Sequence, residues 1–137
     1  MDPGRFRSRA NGGAHVMSVA PENLIGLSLE WTGVHHSGTG DFADLSTHTV
    51  TYEADDYCYV TGNGLLQGEA RYVYRRFDDQ MAVVIYHPKV WQGRTDVVLN
   101  AMFNFSDMTD RAVVTSGGEP FAVADGVFRA VETPPKP

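Results

Sequence analysis

A charged pair on one predicted strand offers the clearest acid–base chemistry in the sequence. Glu69 and Arg71 stand two positions apart within residues 68–77, so their side chains share one face of an extended chain. If that face is enclosed, the pair would hold a substrate carboxylate or tune a catalytic acid. If it is open to water, the pair is an ordinary solvated ion pair, the commoner fate of charged strand residues. The alternation leaves both alternatives open, and Tyr72 and Tyr74 take the face opposite.

Phenols and imidazoles are the other groups with useful chemistry. Six tyrosines are many for 137 residues, and a tyrosine-lined cavity suits an aromatic or polyketide-like ligand, because the ring stacks while the hydroxyl hydrogen-bonds. Tyr86 therefore joins Glu69 and Arg71 in the predicted catalytic set. His36, in a glycine-rich segment after the first strand, completes the set as a proton-transfer group at the rim. The adjacent His35 points to the opposite side of an extended chain, so no metal site and no cofactor are predicted.

Residues 96–105 present two different faces. One face is wholly apolar, whereas the other mixes two carboxamides with two apolar side chains, as ligand pockets often do. We therefore predict that the mixed face lines a cavity; asparagines that face water are the alternative. The predicted ligand-binding residues are Trp31, His48, Tyr52, Asn100, Met102 and Asn104.

The elements that must position these residues are strands. Helical periodicity is nearly absent between residues 23 and 132, and short β-rich runs alternate with turn signals instead. Eight sequential strands with short links predict an all-β, antiparallel up-and-down barrel, since closure removes both edges and leaves room for one small ligand. A two-sheet β-sandwich is the alternative. The predicted strands are residues 24–31, 47–53, 57–61, 68–77, 80–87, 96–105, 110–115 and 121–131.

Composition narrows the class of protein. Hydrophobic residues make up 42% of the chain, enough to fill one core, and no apolar run is long enough to span a membrane. A net charge of −6 argues against nucleic-acid binding by the domain. The single cysteine, Cys58, allows no internal disulfide, and the first residues lack the apolar core of a signal peptide. A cytoplasmic location is the resulting expectation.

The two ends of the chain differ from the predicted barrel domain, residues 23–132. Residues 1–22 form an N-terminal arm and residues 133–137 a proline-rich tail. The first sixteen residues hold three arginines and one acidic side chain, whereas the rest of the chain holds 8 basic and 16 acidic side chains. Phe6 and Val16 are the strong apolar anchors of the arm. We expect the arm to contact the second subunit of a symmetric homodimer.

Two segments resemble a known family. The run ARYVYRRFDDQMAVVIYHP, residues 70–88, resembles the central hairpin of calycin-superfamily small barrels, and LIGLSLEW, residues 24–31, resembles their first strand. The strand rhythm over residues 23–131 is most similar to the domain of molybdenum cofactor biosynthesis protein F and, more distantly, to phenolic acid decarboxylases. The resemblance implies a lipocalin-like barrel with a central cavity.

The decarboxylase resemblance also implies site residues. Those enzymes position the substrate carboxylate with a tyrosine pair on the first strand, assisted by an arginine and a glutamate deeper in the barrel. This chain has Leu29, Glu30 and Trp31 where the tyrosine pattern would stand. Glu69 and Arg71 are the candidates for a part analogous to that of this glutamate and arginine.

Two functions follow from this reasoning. The chain is either a cofactor-free lyase, isomerase or cyclase acting on a small aromatic or polyketide-like metabolite, or a non-catalytic carrier or sensor of a small hydrophobic ligand. A titratable group buried in the lumen distinguishes them, because such an enzyme needs a group with a shifted pKa whereas a carrier needs only an apolar cup.

Overall fold

Eight antiparallel strands close into a barrel in the computed structural model, which describes residues 19–37 and 45–137. Each strand pairs with the next, and the last returns to the first from Ser28↔Val131 to Ser37↔Ala122, so the sheet has no free edge. None of the described residues belongs to a helix long and apolar enough to cross a membrane. The strands are β1 Ser28–Ser37, β2 Ser46–Tyr52, β3 Tyr57–Gly62, β4 Leu65–Arg76, β5 Met81–Pro88, β6 Val97–Asn104, β7 Thr109–Ser116 and β8 Glu119–Val131.

The predicted barrel is confirmed, and one strand is placed differently. Residues 24–27 form a turn instead of the start of β1, since the Leu27 N–H donates to the Leu24 carbonyl oxygen at 3.0 Å and Gly26 has a φ of +83°. At its other end, β1 extends beyond the predicted boundary, through Gly33 to Ser37. The segment that contains His35 and His36 is therefore strand and not loop.

Short turns keep the strand order sequential. Asn63 and Gly64, with φ of 53° and 75°, connect β3 to β4 in the left-handed conformation that two-residue hairpins need. Gly117 and Gly118 do the same between β7 and β8. The Asp78 carboxylate closes the β4–β5 turn by accepting two backbone N–H bonds. These turns place neighbouring strands side by side, so alternate side chains of every strand point into one lumen.

One end of the barrel, here called the base, is closed. Leu24 is fully buried beneath the strands, where Phe103, Phe105 and Phe128 pack with ring centroids 4.9 to 6.0 Å apart. The segment before β1 is tied to the base because the Tyr74 hydroxyl donates to the Pro21 carbonyl oxygen at 2.6 Å. The opposite end, here called the mouth, holds the ends of β1, β3, β5 and β7.

Candidate functional site

The lumen above the base encloses a cavity of about 740 Å³. Ala101, Ala112 and Ala124 are cross-strand partners on β6, β7 and β8, and their short side chains leave the interior unfilled at that level. The volume lies in the range of roughly 300–1,000 Å³ that accepts a small organic ligand. The barrel interior therefore has room for one small ligand.

In the described part of the chain, the cavity opens at the mouth. Its outer lining comes from the strand ends and connections there, among them Ser46, Asn63, Gln67, Val90 and Gln92. The deeper lining is mostly apolar and includes Leu29, Val50, Val60 and Leu99. Polar groups are concentrated in two places within this apolar surface, one at the bottom and one along a wall.

The first polar place contains a buried carboxyl. Asp110 starts the inward row of β7, where Phe103 and Gly126 are its cross-strand partners. Asp110 is partly accessible as a residue, and it lines the cavity. Burial, which no hydrogen bond or cation offsets among the described residues, raises the pKa of Asp110 to about 8. At neutral pH this carboxyl is mostly protonated and can donate a hydrogen bond or a proton.

Two phenols lie within electrostatic reach of Asp110. The hydroxyls of Tyr52 and Tyr86 hydrogen-bond to each other. Burial raises the pKa of both phenols well above 10, and an ionised Asp110 raises it further. The pair shares one hydrogen bond, so the hydrogen of the accepting hydroxyl stays available to a ligand. Asp110, Tyr52 and Tyr86 are referred to below as the polar floor.

The second polar place is an aromatic wall that rises from the floor toward the mouth. Trp31 stacks on His48 with centroids 5.2 Å apart at 30°, and lies 5.1 Å from His35. His35 in turn meets Trp91 edge-on at 5.5 Å. Trp31, His35, His48 and Trp91 all line the cavity and are referred to below as the ring wall.

The imidazoles of the ring wall are uncharged. Burial, followed by repulsion from His35, lowers the pKa of His48 to about 4. Burial, followed by repulsion from His36, lowers the pKa of His35. Both rings are therefore neutral at physiological pH and add aromatic surface and hydrogen-bonding capacity to the cavity without adding charge.

Two glycines make room for the tryptophan of this wall. A Cβ at Gly126 would stand 2.4 Å from the Trp31 ring, and one at Gly33 would stand 2.6 Å from it. With both positions bare, the Trp31 indole N–H reaches the Asp110 carbonyl oxygen at 3.2 Å. The glycines thus allow the ring wall and the polar floor to meet.

The thiol of Cys58 also lines the cavity but is unsuited to nucleophilic chemistry. Burial raises the pKa of Cys58 to about 12, so the thiolate is scarce at neutral pH. Among residues 19–37 and 45–137, no three His, Cys, Asp or Glu side chains are grouped so as to hold a metal ion. The acid–base groups that remain are the carboxyl and the phenols of the polar floor and the neutral imidazoles of the ring wall.

Five of the residues predicted from sequence line the cavity, and one of them, Glu69, does so at the mouth. Tyr86 and Tyr52 belong to the polar floor, and Trp31 and His48 belong to the ring wall. Their assigned parts in catalysis or ligand binding stay predictions.

The prediction for β6 is wrong, because the mixed face points outward. Asn100 donates through Nδ2 to the Val113 carbonyl oxygen at 3.2 Å on the outer surface, and Met102 is 41% exposed. Asn104 accepts a hydrogen bond from the Ser106 N–H at the end of the strand. Inside the barrel, the apolar face packs instead, since its phenylalanines fill the base.

The inward placement of Glu69 and Arg71 is also wrong. Gly68 and Ala70 take the inward positions of β4, and Arg71 is exposed. The Glu69 carboxylate borders the mouth, where it accepts a hydrogen bond from the Tyr57 hydroxyl at 2.9 Å and lies 3.4 Å from Lys89 Nζ. These two contacts, the phenol first, lower the pKa of Glu69. It is a paired surface carboxylate, not a catalytic acid of the lumen.

The histidine prediction selected the wrong member of the pair. Because β1 extends to Ser37, alternate residues of its second half point inward, and His35 shares the lumen face with Trp31. His36 is exposed on the outer surface. It has no access to the cavity through the barrel wall.

Sequence reasoning missed Asp110 and His35. The signal for Asp110 lies in its alternation with Ala112 and Val114, both of which are buried. A carboxyl that shares its face with two buried residues is unusual, and this one faces the lumen. For His35, the signal is its spacing from Trp31: if the strand continues through Gly33, residues 31, 33 and 35 share one face.

Comparison with protein-family models, with curated proteins and with solved structures finds no match to this chain. The resemblance to calycin-superfamily barrels stays a prediction.

Proposed function

We propose that the chain is a cofactor-independent acid–base enzyme, an isomerase or a lyase, that binds a small aromatic or polyketide-like molecule inside the barrel. One observation carries the proposal: the Asp110 carboxyl lines the ligand-sized cavity without a partner among the described residues, and its pKa is raised to about 8. A carboxyl suits proton transfer when it is neutral at pH 7 and its pKa lies close to that pH. An apolar cup that only carries a ligand has no need of it.

Asp110 would act as the proton donor. Its neutral form gives its proton to an oxygen or carbon of the bound molecule. The resulting carboxylate, isolated in apolar surroundings, is a base strong enough to take a proton back from a second position. Donation and recovery cancel, so an isomerisation by this route consumes no proton. In a lyase reaction the donated proton would leave with the departing group, and the carboxylate would recover one from the carbon that becomes part of the new double bond.

The phenols would bind the oxygen atom on which negative charge develops. Tyr52 and Tyr86 have pKa values well above 10, so both stay protonated through the reaction: one hydroxyl donates to the other, and the second donates to the bound oxygen. Donors held in place before the reaction stabilise developing charge without reorganisation. Their mutual hydrogen bond holds the pair in place.

Deuterium transfer provides a test that works even when the product is unidentified. Candidate aromatic ketones, enones and small polyketides are incubated with the protein in D₂O, and carbon-bound deuterium is measured by mass spectrometry. We expect incorporation by the wild type and by Asp125→Asn, and its loss in Asp110→Asn. Asp125 is a suitable control because it is a carboxylate on the outer surface of β8, beside the strand of Asp110, where its Oδ1 lies 2.8 Å from Arg111 Nε. Equal incorporation by both variants would contradict the role of Asp110.

The second candidate function is a carrier or sensor with the same cavity. The apolar lining from Leu29, Val50, Val60 and Leu99 supports it, because such a surface holds a hydrophobic ligand without chemistry. A carrier would bind its ligand stoichiometrically and catalyse no deuterium exchange with any member of the panel. Asp110→Asn would then bind the ligand as well as the wild type does.

We also propose a cytoplasmic homodimer. Residues 1–18 of the N-terminal arm, which was expected to join the subunits, lie outside the described residues, and residues 19–22 contact the base of their own barrel. In the described part, support comes from exposed valines on the outer surface, since Val113, Val123 and Val127 are each about half accessible. Light scattering on the full chain and on a chain that begins at Met17 tests the arrangement: the full chain should be dimeric and the shorter one monomeric. A full chain that is monomeric at micromolar concentration would contradict it.

A further inference from the structure

The cavity wall lacks positive charge. Among the described residues that line it, Glu69 and Asp110 are the acidic side chains and none is lysine or arginine. Glu69 is already paired with Lys89 at the mouth. His35 and His48 are neutral because burial lowers the pKa of each. An anionic ligand would therefore lose its water shell without gaining a counter-charge, which is unfavourable in a low-dielectric interior.

The polar floor offers hydrogen-bond donors of a particular kind. At pH 7 Asp110 is a neutral carboxyl with one O–H, and the phenol pair has one O–H to spare. Both suit an uncharged acceptor such as a carbonyl oxygen. A carboxylate ligand would face a group that itself tends to become negative.

The ring wall sets the shape of the other part of the ligand. Trp31 and His48 stack nearly parallel, and Trp91 continues the aromatic surface toward the mouth. Flat rings recognise the face or edge of another flat ring. The wall and the floor meet where the Trp31 indole bonds to the Asp110 backbone, so one molecule can contact both.

We propose that the substrate is an uncharged aromatic carbonyl compound, bound with its carbonyl oxygen at the polar floor and its ring along the ring wall, and that carboxylates of the same shape are rejected. This inference rests on the proposed function, because it describes the substrate of the same cavity. It also separates this chain from decarboxylation of phenolic acids, whose substrates carry the carboxylate that this wall disfavours.

Three probes of one shape and different charge test the inference: cinnamamide, cinnamate and cinnamylamine. Both tryptophans of the chain line the cavity, so quenching of their fluorescence reports binding, with calorimetry as a second measurement. At pH 7 we expect cinnamamide to bind at least about tenfold more tightly than cinnamate. Equal or tighter binding of cinnamate would overturn the inference. Tightest binding of cinnamylamine, with release of a proton from Asp110, would replace it with a cation site, and failure of all three at millimolar concentration would exclude the aromatic class.

The pH dependence ties the selectivity to Asp110. Between pH 7 and pH 9 the neutral fraction of a carboxyl with a pKa of about 8 falls roughly tenfold, and the affinity for cinnamamide should fall by the same factor. Asp110→Asn keeps a donor that cannot ionise, so its affinity should not change with pH, whereas Asp125→Asn should follow the wild type. A wild-type affinity that is flat over this range would contradict donation by Asp110. Retained selectivity without deuterium transfer would refute the proposed enzyme and leave the ligand class standing.

Discussion

Replacing Asp110 by asparagine should stabilise the protein, and by an amount that depends on pH. The folded protein holds a proton on this carboxyl up to a pKa of about 8, whereas the unfolded chain releases it near the ordinary value of 3.8. Between these pH values the folded state binds more protons than the unfolded state, so its stability falls as pH rises. Asparagine has nearly the same shape and cannot ionise. The stability of the variant should therefore not fall with pH in this way.

The magnitude follows from the pKa. A rise from 3.8 to about 8 corresponds to roughly 6 kcal/mol above pH 8 and roughly 4 kcal/mol at pH 7. Small domains are stable by only about 5–15 kcal/mol in total, so the effect is large enough to measure easily. Other groups of the cavity, His48 above all, also titrate in the acidic part of this range. The difference between variant and wild type at each pH removes their contribution.

Urea unfolding at half-unit intervals from pH 4.5 to pH 8.5 measures that difference. We expect the stability of Asp110→Asn minus that of the wild type to rise by about 1.4 kcal/mol per pH unit through the middle of the range and to level off above pH 8. Asp125→Asn breaks an exposed ion pair with Arg111, so its difference should stay below about 1 kcal/mol throughout. A flat difference for Asp110→Asn would mean that water in the cavity solvates the carboxyl, and the proposed proton donor would lose its physical basis.

Three further changes probe the rest of the cavity. Gly126→Ala places a Cβ 2.4 Å from the Trp31 ring and should lower the free energy of unfolding in urea by about 1–3 kcal/mol. At the control position, Gly68, a Cβ meets no atom within 4 Å, so Gly68→Ala should lower it much less. Equal losses in the two variants would contradict the packing argument. Tyr52→Phe removes the hydrogen bond to the partner phenol and should lower stability by about 1 kcal/mol and slow deuterium transfer; an unchanged rate would exclude the phenol pair from the reaction. Burial lowers the pKa of His48 from 6.5 to about 4, so the wild type loses stability as pH falls below 6.5. His48→Gln cannot take up this proton, and its stability should exceed that of the wild type by up to about 3 kcal/mol near pH 4. Parallel stability profiles of the two proteins over this pH range would refute the argument.

The order and number of the strands could be predicted because turn chemistry and β-rich runs are local. The pairing of β1 with β8 follows from closure once the eight strands are counted. The boundary of β1 could not be predicted in the same way. Gly33 resembles a turn signal in sequence, but its function is to leave space for a ring on its own strand, a contact that only the folded barrel creates.

The inner face of each strand was harder to predict, since alternation shows two faces without indicating which is inside. On β6 both faces carry apolar side chains, and the outer one packs among apolar neighbours on the barrel surface, as Val83 opposite Met102 illustrates. Asp110 could not be predicted for a related reason. Its chemistry depends on alanines of its own strand and of the two strands beside it, which leave the interior unfilled, and no single strand carries that information.

The closed base has a consequence for traffic through the molecule. With Leu24 and the phenylalanines filling one end, and with every strand hydrogen-bonded to two others, the lumen is a dead end. A molecule that enters at the mouth must arrive with its leading group toward Asp110 and must back out along the same path. For the proposed enzyme, product would therefore leave through the same mouth before the next substrate reaches Asp110.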